Sequence, residues 1–429
     1  MTIYEKPKIE TLSNGVTLIN APTPSRNVGI ILAVRAGSRD ETKSTAGLAH
    51  FLEHLFFKGT KTRPTTMDIS REVDRLGAST NAYTDTEDVA YVASGPASKV
   101  SELSDILCDM LSRPLFQAEE VERERNVVLQ ELSARLLDPE GWAWDRLGMV
   151  TYGGDQPMSW SAAGFPEVVE TVSRDQIIDY HKTFYSPSST ALIISGGSSL
   201  DIDTAEKFLK EMPTATPKSR EKAVWGQGEK YIANVRQFSE EEEPQINMLL
   251  SIEGLNSSDA DRVPLNVMAH ILGGGMSSRL FHTVRERNGL CYRIYAQPEQ
   301  FEDSGRFTIS TATRPEDAIK AVKLSFDEFR NLATVEVDDD ELNAAKSSMV
   351  GSLYRGTETA MASASFFASR WLQQQPLETP DERAAAYEKV TKKEIKQVAQ
   401  RLIENLKDIR VSFVGPIDIG SDLIEAAIS

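Results

Sequence analysis

Two histidines and a glutamate in the segment HFLEH, residues 50–54, have the types and the spacing of a metal site. The apolar residues around them recur with a helical period from about residue 45 to Gly59, which is a typical helix C-cap. On a helix, His50 and His54 project from the same face, so both imidazoles can bind one metal ion. Glu53 lies beside them, where it can hold a metal-bound water without being a ligand. Zinc suits these ligand types, and a catalytic zinc site requires a third protein ligand.

A second predicted helix, at about 118–137, can supply that ligand. It carries Glu124 and Glu131, and seven helical steps of 100° return to within about 20° of the same direction. The two carboxylates therefore share one stripe of the helix. One can bind the metal while the other orients a ligand, and the spacing alone leaves the assignment open.

Each of these residue types also has an ordinary structural explanation. A pair of glutamates on a charged helix usually lies on a solvated face, and most histidines are satisfied by ordinary hydrogen bonds. The remaining histidines have no partner at ligand spacing and are expected to be structural: His181, His270 and His282. Cys108 and Cys291 are too far apart in sequence for any cysteine zinc motif, and no disulfide framework is expected.

The elements that position these residues alternate in blocks of strands and helices. Strand-like runs at 9–12 and 16–20 flank Asn14-Gly15, a strong hairpin signal, and a third strand is predicted at 28–35. After the motif helix, the predicted order is helix, strand, strand, helix and helix, at 67–76, 78–84, 89–94, 97–112 and 118–137. Blocks of this kind predict the α+β class, with antiparallel sheet packed against helices.

The second half of the chain repeats the order of elements found around the motif. A strand-like run, a polar loop and an apolar helix recur, and in this register His50 aligns with His270. The last two residues of the motif align with Gly273 and Gly274. The repeat predicts two homologous α/β-sandwich domains, the second of which lacks the polar constellation. The expected divisions are a catalytic domain 1–215, a linker 216–229 and a second domain 230–429.

Composition limits the partners of the chain. Its 429 residues predict two or three domains, and 47 Lys and Arg against 64 Asp and Glu give a net charge of −17. A nucleic-acid partner is not expected, since phosphates require a basic surface. The sequence has no apolar run of the length of a signal peptide or a membrane span. A cytoplasmic protein, or one in an organelle matrix after loss of a presequence, is expected.

Several segments resemble the pitrilysin family of zinc peptidases. His-x-x-Glu-His is the inverzincin signature, and AHFLEHLFFKGTKTRP looks like the zinc helix of that family. Other segments that resemble family blocks are LGASTNAYTDTEDVAYVA, ERERNVVLQEL, FYSPSSTALIISGG and SSRLFHTVRERNGLCY. Within the family, the likeness is to the β subunit of mitochondrial processing peptidase and its bacterial relatives.

The resemblance implies a role for each residue of the motif region. His50, His54 and Glu131 would bind one zinc ion per chain, Glu53 would be the general base, and Glu124 would be a supporting carboxylate. The choice that spacing leaves open is thus made by the resemblance. The implied activity is that of a zinc metalloendopeptidase, and the implied fold is a pair of similar α+β domains.

The resemblance also implies how a peptide would be held. Ser79–Thr84 corresponds to the edge strand of the family, on which an extended peptide adds by backbone pairing, with Asn81 and Ala82 at the cleavage point. Arg285 and Tyr292 match a pair that holds the substrate backbone and steadies the tetrahedral oxyanion.

Family members of this length enclose the site by pairing two chains. A homodimer is expected because one chain carries both the zinc motif and the Arg/Tyr pair, and a heterodimer with a related non-catalytic subunit is the alternative. The processing peptidases recognise a substrate arginine through two carboxylates. Asp145 matches one, but Gly141 stands at the other position, beside Glu140. Unfolded peptides, with some preference for basic ones, are therefore the expected substrates.

Two other functions fit part of the sequence. A non-catalytic structural relative, such as a core subunit of the respiratory cytochrome complex, would keep the fold but degrade the motif, which is intact here. A different zinc hydrolase would leave the paired glutamates and the Arg/Tyr pair unexplained.

Overall fold

The computed structural model describes residues 4–214, 220–235, 245–416, 418 and 420–428, so residues 216–219 of the predicted linker lie outside the described part. The strands are β1 (Lys8–Thr11), β2 (Thr17–Pro22), β3 (Asn27–Val34), β4 (Ser79–Thr84), β5 (Val89–Pro96), β6 (Thr190–Gly196), β7 (Tyr231–Val235), β8 (Ile246–Glu253), β9 (Cys291–Gln300), β10 (Gly305–Thr313) and β11 (Arg410–Gly415). The helices are α1 (Leu48–Phe56), α2 (Thr66–Arg75), α3 (Val100–Ser112), α4 (Ala118–Arg135), α5 (Pro139–Tyr152), α6 (Pro166–Thr171), α7 (Arg174–Phe184), α8 (Ile202–Leu209), α9 (Arg262–Gly273), α10 (Ala318–Thr334), α11 (Asp339–Arg355), α12 (Ala360–Leu372), α13 (Pro380–Lys389), α14 (Lys392–Ile403) and α15 (Ser421–Ile428). Among these described helices, none has the length and apolar character of a membrane span.

The chain forms two compact units, and each takes segments from both halves of the sequence. The first unit consists of Met1–Ser133, Trp160–Glu221 and Leu353–Arg383. The second unit consists of Ala134–Ser159, Lys222–Ser352 and Ala384–Ser429. The boundaries 1–215, 216–229 and 230–429 stay a prediction about the sequence repeat, and they do not describe the exchange that places α5 in the second unit and α12 in the first.

The first unit is built on a six-stranded sheet in the order β1-β2-β6-β3-β5-β4. Neighbouring strands are antiparallel except for β2 and β6, which are parallel. β3 has a strand on each side, and seven of its eight residues are buried. β4 lies at the edge, as predicted for this segment, and pairs with β5 alone in the described part of the chain.

The motif helix α1 begins at Leu48, later than predicted, because Gly47 has a φ of 100°, in the left-handed region. The buried carboxylate of Glu41 accepts hydrogen bonds from the backbone N–H of Gly47 (2.8 Å) and of Ala49 (2.7 Å). It therefore satisfies donors that the first turn leaves without helical partners. The core-facing side of the helix consists of Leu48, Ala49, Phe51, Leu52, Leu55 and Phe56. Burial of that side fixes the direction of the opposite, polar side.

The other face of the same sheet is covered by α12, from the second half of the chain. Phe367 and Trp371 pack there in one apolar cluster with Ile19, Ile31 and Ile193. The sheet is thus buried on both sides, and a helix remote in sequence completes its second layer.

The second unit repeats this topology. Its sheet has the order β7-β11-β8-β10-β9, with β7 and β11 parallel and the other neighbours antiparallel. Without β1, the first sheet has the same order and the same directions, and α9 follows β8 as α1 follows β3. Leu147 and Val150 of α5 pack against Leu249 and Val414 of the sheet. The predicted repeat and the α+β class are confirmed, although each sheet contains one parallel pair.

A network of ion pairs around the buried Arg63 holds the loop after α1 against α3 in the first unit. Arg63, which is 6% exposed, contacts Glu72 at 2.7 Å, Asp105 at 2.8 Å and Asp109 at 2.8 Å. Asp109 is fully buried and also accepts a hydrogen bond of 2.5 Å from the Thr60 hydroxyl. While every charge is paired, the ion pairs offset the desolvation free energy of the buried charges. Removal of one partner leaves that desolvation free energy uncompensated.

The substitution Arg63→Met is expected to lower the free energy of unfolding by about 3–5 kcal/mol, because it leaves the buried Asp109 carboxylate with one cation fewer. Arg75→Met is the matched control, since the Arg75 side chain is 77% exposed and only 4.0 Å from Glu72. Little change is expected there. Urea unfolding followed by circular dichroism measures both variants, and equal costs would contradict the structural role of the network.

Candidate metal centre

Three ligand-type atoms from two helices converge in the first unit. His50 Nε2 and His54 Nε2 of α1 are 3.3 Å apart, and Glu131 Oε2 of α4 lies 3.6 Å from the first and 3.5 Å from the second. Tetrahedral coordination at zinc–ligand distances of about 2.0–2.1 Å separates neighbouring ligand atoms by about 3.3–3.4 Å. The triangle therefore fits one zinc ion. Within the described residues, these three form the one group of histidine, cysteine and acidic side chains close enough to hold a metal.

Helix α4 presents both of its predicted carboxylates to α1. Its buried positions recur every three or four residues: Val121, Glu124, Val128 and Leu132. This stripe packs the helix on the core and carries Glu124 inward, with its side chain 6% exposed. Glu131 lies two turns further along, at the rim, with its side chain 49% exposed. The shared stripe expected from the spacing brings both carboxylates to the histidines from different sides.

Glu124 contacts the far side of His54. The Nδ1–H of His54 donates to Glu124 Oε2 at 3.2 Å, which leaves the Nε2 lone pair for a metal. A carboxylate in this position orients a histidine ligand and raises its basicity. The other oxygen, Oε1, lies 2.7 Å from Lys58 Nζ. Sequence reasoning missed Lys58, which lies two residues beyond the end of α1.

His50 is prepared to bind as a neutral imidazole. Burial, assisted by the neighbouring His54, lowers the pKa of His50 to about 4, so its ring is uncharged at neutral pH. Its buried Nδ1 has no hydrogen-bond partner among the described residues. Neutral nitrogen donors of this kind match the ligand chemistry of zinc.

Glu53 projects from the same helix but is not part of the triangle. Its Oε2 accepts a hydrogen bond of 2.5 Å from the hydroxyl of Thr84, the last residue of β4. Burial raises the pKa of Glu53, and the bond from Thr84 acts in the opposite direction. A carboxyl group beside a metal site is a stronger base when its pKa is raised, which suits it to take up and return a proton. The contact with Thr84 had no signal in the sequence.

The edge strand β4 runs beside this carboxylate. Asn81 is exposed and Ala82 is half-buried, and the N–H of Ala82 donates to Asn81 Oδ1 at 2.9 Å. One edge of β4 is covered by β5, so in the described chain the other edge lies outside the sheet. The predicted role of both residues in holding a peptide stays a prediction.

The second unit has no space for the same constellation. Gly273 of α9 lies so close to β9 that an added Cβ would be 2.3 Å from the backbone nitrogen of Ala296. An added Cβ at Gly274 would be 2.4 Å from Nδ1 of His270. These glycines occupy the positions that align with Glu53 and His54. The backbone of β9 therefore leaves no space for a carboxylate at position 273, and His270 of the same helix crowds position 274.

Arg285 and Tyr292 lie together in the second unit. Arg285 belongs to the π-helix Phe281–Arg287, and its guanidinium carbon is 4.5 Å from the centre of the Phe281 ring and 4.8 Å from that of Tyr292. Tyr292 is the second residue of β9 and is 75% exposed. The predicted pair is thus a stacked unit with one open aromatic face. Its predicted contacts with substrate stay a prediction.

The two carboxylates predicted to recognise a substrate arginine already contact arginines of this chain. Glu140 Oε2 is 2.6 Å from Arg293, and its Oε1 accepts from the Tyr295 hydroxyl at 3.0 Å. Asp145 receives two hydrogen bonds of 2.9 Å from Arg135. A substrate arginine would have to share these carboxylates with their present partners or displace them, and the sequence did not predict these contacts.

Comparison with known proteins identifies the family. Residues 16–156 match the family described as insulinase, peptidase family M16, and residues 171–349 match the peptidase M16 inactive domain. A protein named as an uncharacterized zinc protease of Mycobacterium tuberculosis is 30% identical over 410 residues, covering 92% of this chain and 91% of the relative. The chain belongs to peptidase family M16. The predicted membership of the pitrilysin group of zinc peptidases is thereby confirmed.

Further proteins are similar to this chain over most of its length, two of them in solved structures. An uncharacterized zinc protease of Bacillus subtilis is 31% identical over 355 residues, covering 81% of this chain and 84% of the relative. A protease from Helicobacter pylori has a TM-score of 0.85 at 20% identity, covering 96% of this chain and 100% of that one. A peptidase M16 inactive domain structure from Pseudomonas fluorescens has a TM-score of 0.85 at 18% identity, covering 96% and 98%. The solved structures share the fold.

A graded series on α4 tests the metal centre. Glu124→Gln is expected to weaken zinc binding by about 10- to 100-fold, because it weakens only the acceptor behind His54. Glu131→Gln should weaken it more, since a ligand is lost, and Glu119→Gln, at an exposed site on the same helix, should have no effect. Competition with a chelating dye gives the affinities. Equal affinities for all three variants would contradict the assignment.

The packing of α9 on β9 predicts that Gly273→Ala lowers the free energy of unfolding by about 1–3 kcal/mol, as an overpacked contact does. Gly275→Ala is the control, because its added Cβ would be 4.0 Å from the nearest atom outside its immediate chain neighbours. Thermal unfolding of both variants measures the difference. A Gly273→Ala protein as stable as the control would show that the helix can shift.

Proposed function

We propose that this chain is a zinc-dependent metalloendopeptidase that hydrolyses peptide bonds in unfolded peptides, with one zinc ion per chain. The observation that carries the proposal is the triangle of His50, His54 and Glu131 atoms, 3.3–3.6 Å on a side, with Glu53 beside it. Relatives named as zinc proteases support both the metal and the reaction.

The chemistry of the proposal depends on Glu53. A zinc ion held by the three ligands would act as a Lewis acid on water and on the substrate carbonyl. Glu53 accepts one proton from the attacking water, whose oxygen forms a bond to the carbonyl carbon. It then donates that proton to the peptide nitrogen as the carbon–nitrogen bond breaks. The products are a carboxylic acid and an amine, and Glu53 returns to its starting state.

Peptide binding in the proposal uses the open edge of β4. An extended peptide would pair there through its backbone, with the scissile bond near Asn81 and Ala82. Because pairing uses backbone groups, it selects extended chains and tolerates many side chains. Arg285 and Tyr292 would contact the substrate backbone and the developing oxyanion.

The proposal includes a closed chamber formed by two chains. In a homodimer, the Arg285–Tyr292 unit would act on the zinc site of the paired chain, and a heterodimer with a related non-catalytic subunit is the alternative. The presence of both the zinc motif and the Arg/Tyr pair in one chain supports the homodimer. A monomer with full activity would contradict this part of the proposal.

The most specific part of the proposal is a preference for basic peptides. The net charge of −17 supports it, whereas the contacts of Glu140 and Asp145 with arginines of this chain do not. Equal cleavage rates for two peptides that differ by a single Arg-to-Ala change would contradict the preference.

A non-catalytic structural subunit is the alternative function. The family model that is described as an inactive domain matches residues 171–349. The three predicted metal ligands and Glu53 all lie outside that range. The intact triangle and the carboxylate beside it therefore favour the peptidase.

The substitution Glu53→Gln tests the proposed reaction. Peptide hydrolysis should fall by about 10²- to 10⁴-fold, because an amide cannot accept the water proton, while zinc content stays unchanged. A quenched fluorescent peptide measures turnover, and zinc content is measured on the same sample. Glu119→Gln serves as the control, and a chelator should abolish its activity until zinc is restored. Near-normal turnover by zinc-loaded Glu53→Gln would refute the mechanism.

A further inference from the structure

One contact joins the edge strand to the carboxylate that the proposed reaction uses. Thr84 is the last residue of β4, and its hydroxyl donates to Glu53 Oε2 at 2.5 Å. Within the described part of the chain, no hydrogen bond engages the other oxygen, Oε1. The contact therefore immobilises one end of the carboxylate and leaves the second oxygen available.

A glutamate depends on such a contact for its orientation. Its side chain has three rotatable torsions, and its outermost torsion has no sharp preference, so the polypeptide alone does not aim the carboxylate. Thr84 is better suited to be an anchor, because a β-branched side chain is restricted at its first torsion. Proton transfer requires the base to lie within about 2.6–3.2 Å of its proton donor, so a misaimed carboxylate slows the reaction.

The position of Thr84 is itself set by the sheet. β4 pairs with β5 from Ser79 opposite Ser94 to Thr84 opposite Val89, and its other edge is the one proposed for the substrate. A peptide that pairs with β4 would add a second ladder of hydrogen bonds and hold the end of the strand more firmly. Because Thr84 is at the end of β4 and contacts Glu53, a more firmly held strand would also hold the Glu53 carboxylate more firmly.

We propose that Thr84 is a positioning residue that couples the pairing of an extended peptide on β4 to the orientation of Glu53. This inference rests on the proposed peptidase function and deepens it, since it makes peptide length along β4 a determinant of turnover. Remote binding energy would then raise kcat, and short substrates would lose kcat as well as affinity.

Three variants separate the hydroxyl from the shape of the side chain. Thr84→Val keeps the β-branched shape and removes the donor, whereas Thr84→Ser keeps the donor. Thr80→Val makes the same change at the other end of β4, where the side chain is also half-buried and has no contact with Glu53 among the described residues. All three are compared with the wild type and with Glu53→Gln, using a four-residue and a ten-residue peptide with the same scissile bond. Zinc content and thermal stability are measured for each.

Thr84→Val is expected to lower kcat for the long peptide by about tenfold, with KM within about twofold of wild type and zinc content unchanged. The kcat advantage of the long peptide over the short one should shrink. Thr84→Ser should restore both properties to within about threefold of wild type, and Thr80→Val should lower kcat less than Thr84→Val does, because it leaves the hydroxyl that donates to Glu53 in place.

Each other outcome would overturn the inference. These outcomes are an unchanged kcat in Thr84→Val, an unchanged dependence on peptide length, and a Thr84→Ser variant as slow as Thr84→Val. If Thr80→Val is as slow as Thr84→Val, the effect belongs to the strand and not to the contact. A wild type without zinc-dependent cleavage, or a fully active Glu53→Gln variant, would refute the peptidase function together with the inference. If the wild type cleaves, Glu53→Gln is inactive and Thr84→Val has the kcat of the wild type, the inference alone is refuted.

Discussion

Convergence of three ligand atoms within 3.3–3.6 Å of one another is the constraint on which the site depends. Two of these atoms come from α1 and one from α4, so the triangle exists only if the two helices meet in one register. Both are held by burial on the same apolar core of the first unit. Glu41 satisfies the first turn of α1, and Glu124 enters the buried stripe of α4. The polar site is thus positioned by the apolar packing of its two helices, which on α1 lies opposite the site and on α4 lies along the stripe that carries Glu124.

The same packing principle explains why a duplicated fold carries one such site. The two sheets share their strand order and directions, and a helix follows the equivalent strand in each unit. In the second unit, α9 approaches β9 so closely that Gly273 has no space for a side chain. In the first unit, the equivalent space holds Glu53 and its contact with Thr84. A helix can pack tightly on its neighbouring strand or carry a carboxylate between them, and each unit has one of the two arrangements.

Several acidic side chains of this chain form ion pairs with its own arginines. Arg63 gathers three carboxylates behind the motif loop, and Arg135 and Arg293 contact Asp145 and Glu140 in the second unit. Buried carboxylates require such partners, because desolvation penalises an unpaired charge. The net charge of −17 therefore does not measure how much negative charge is available to a ligand.

The sequence by itself determined the chemistry of the site and the class of the fold. The spacing of His50 and His54 is a property of one helix, and the seven-residue spacing on α4 is a property of another, so both are readable from local periodicity. The repeat and the edge position of β4 also followed from local patterns and from the resemblance. Spacing left open how Glu124 and Glu131 divide between the two sides of His54, and the resemblance implied an assignment. The tertiary structure places Glu131 near the Nε2 atoms of both histidines and Glu124 at Nδ1 of His54. It also brought Thr84 to Glu53 and Arg293 to Glu140, and it exchanged α5 and α12 between the units. These contacts join residues far apart in the chain, and no local period encodes a distance that depends on how whole elements pack.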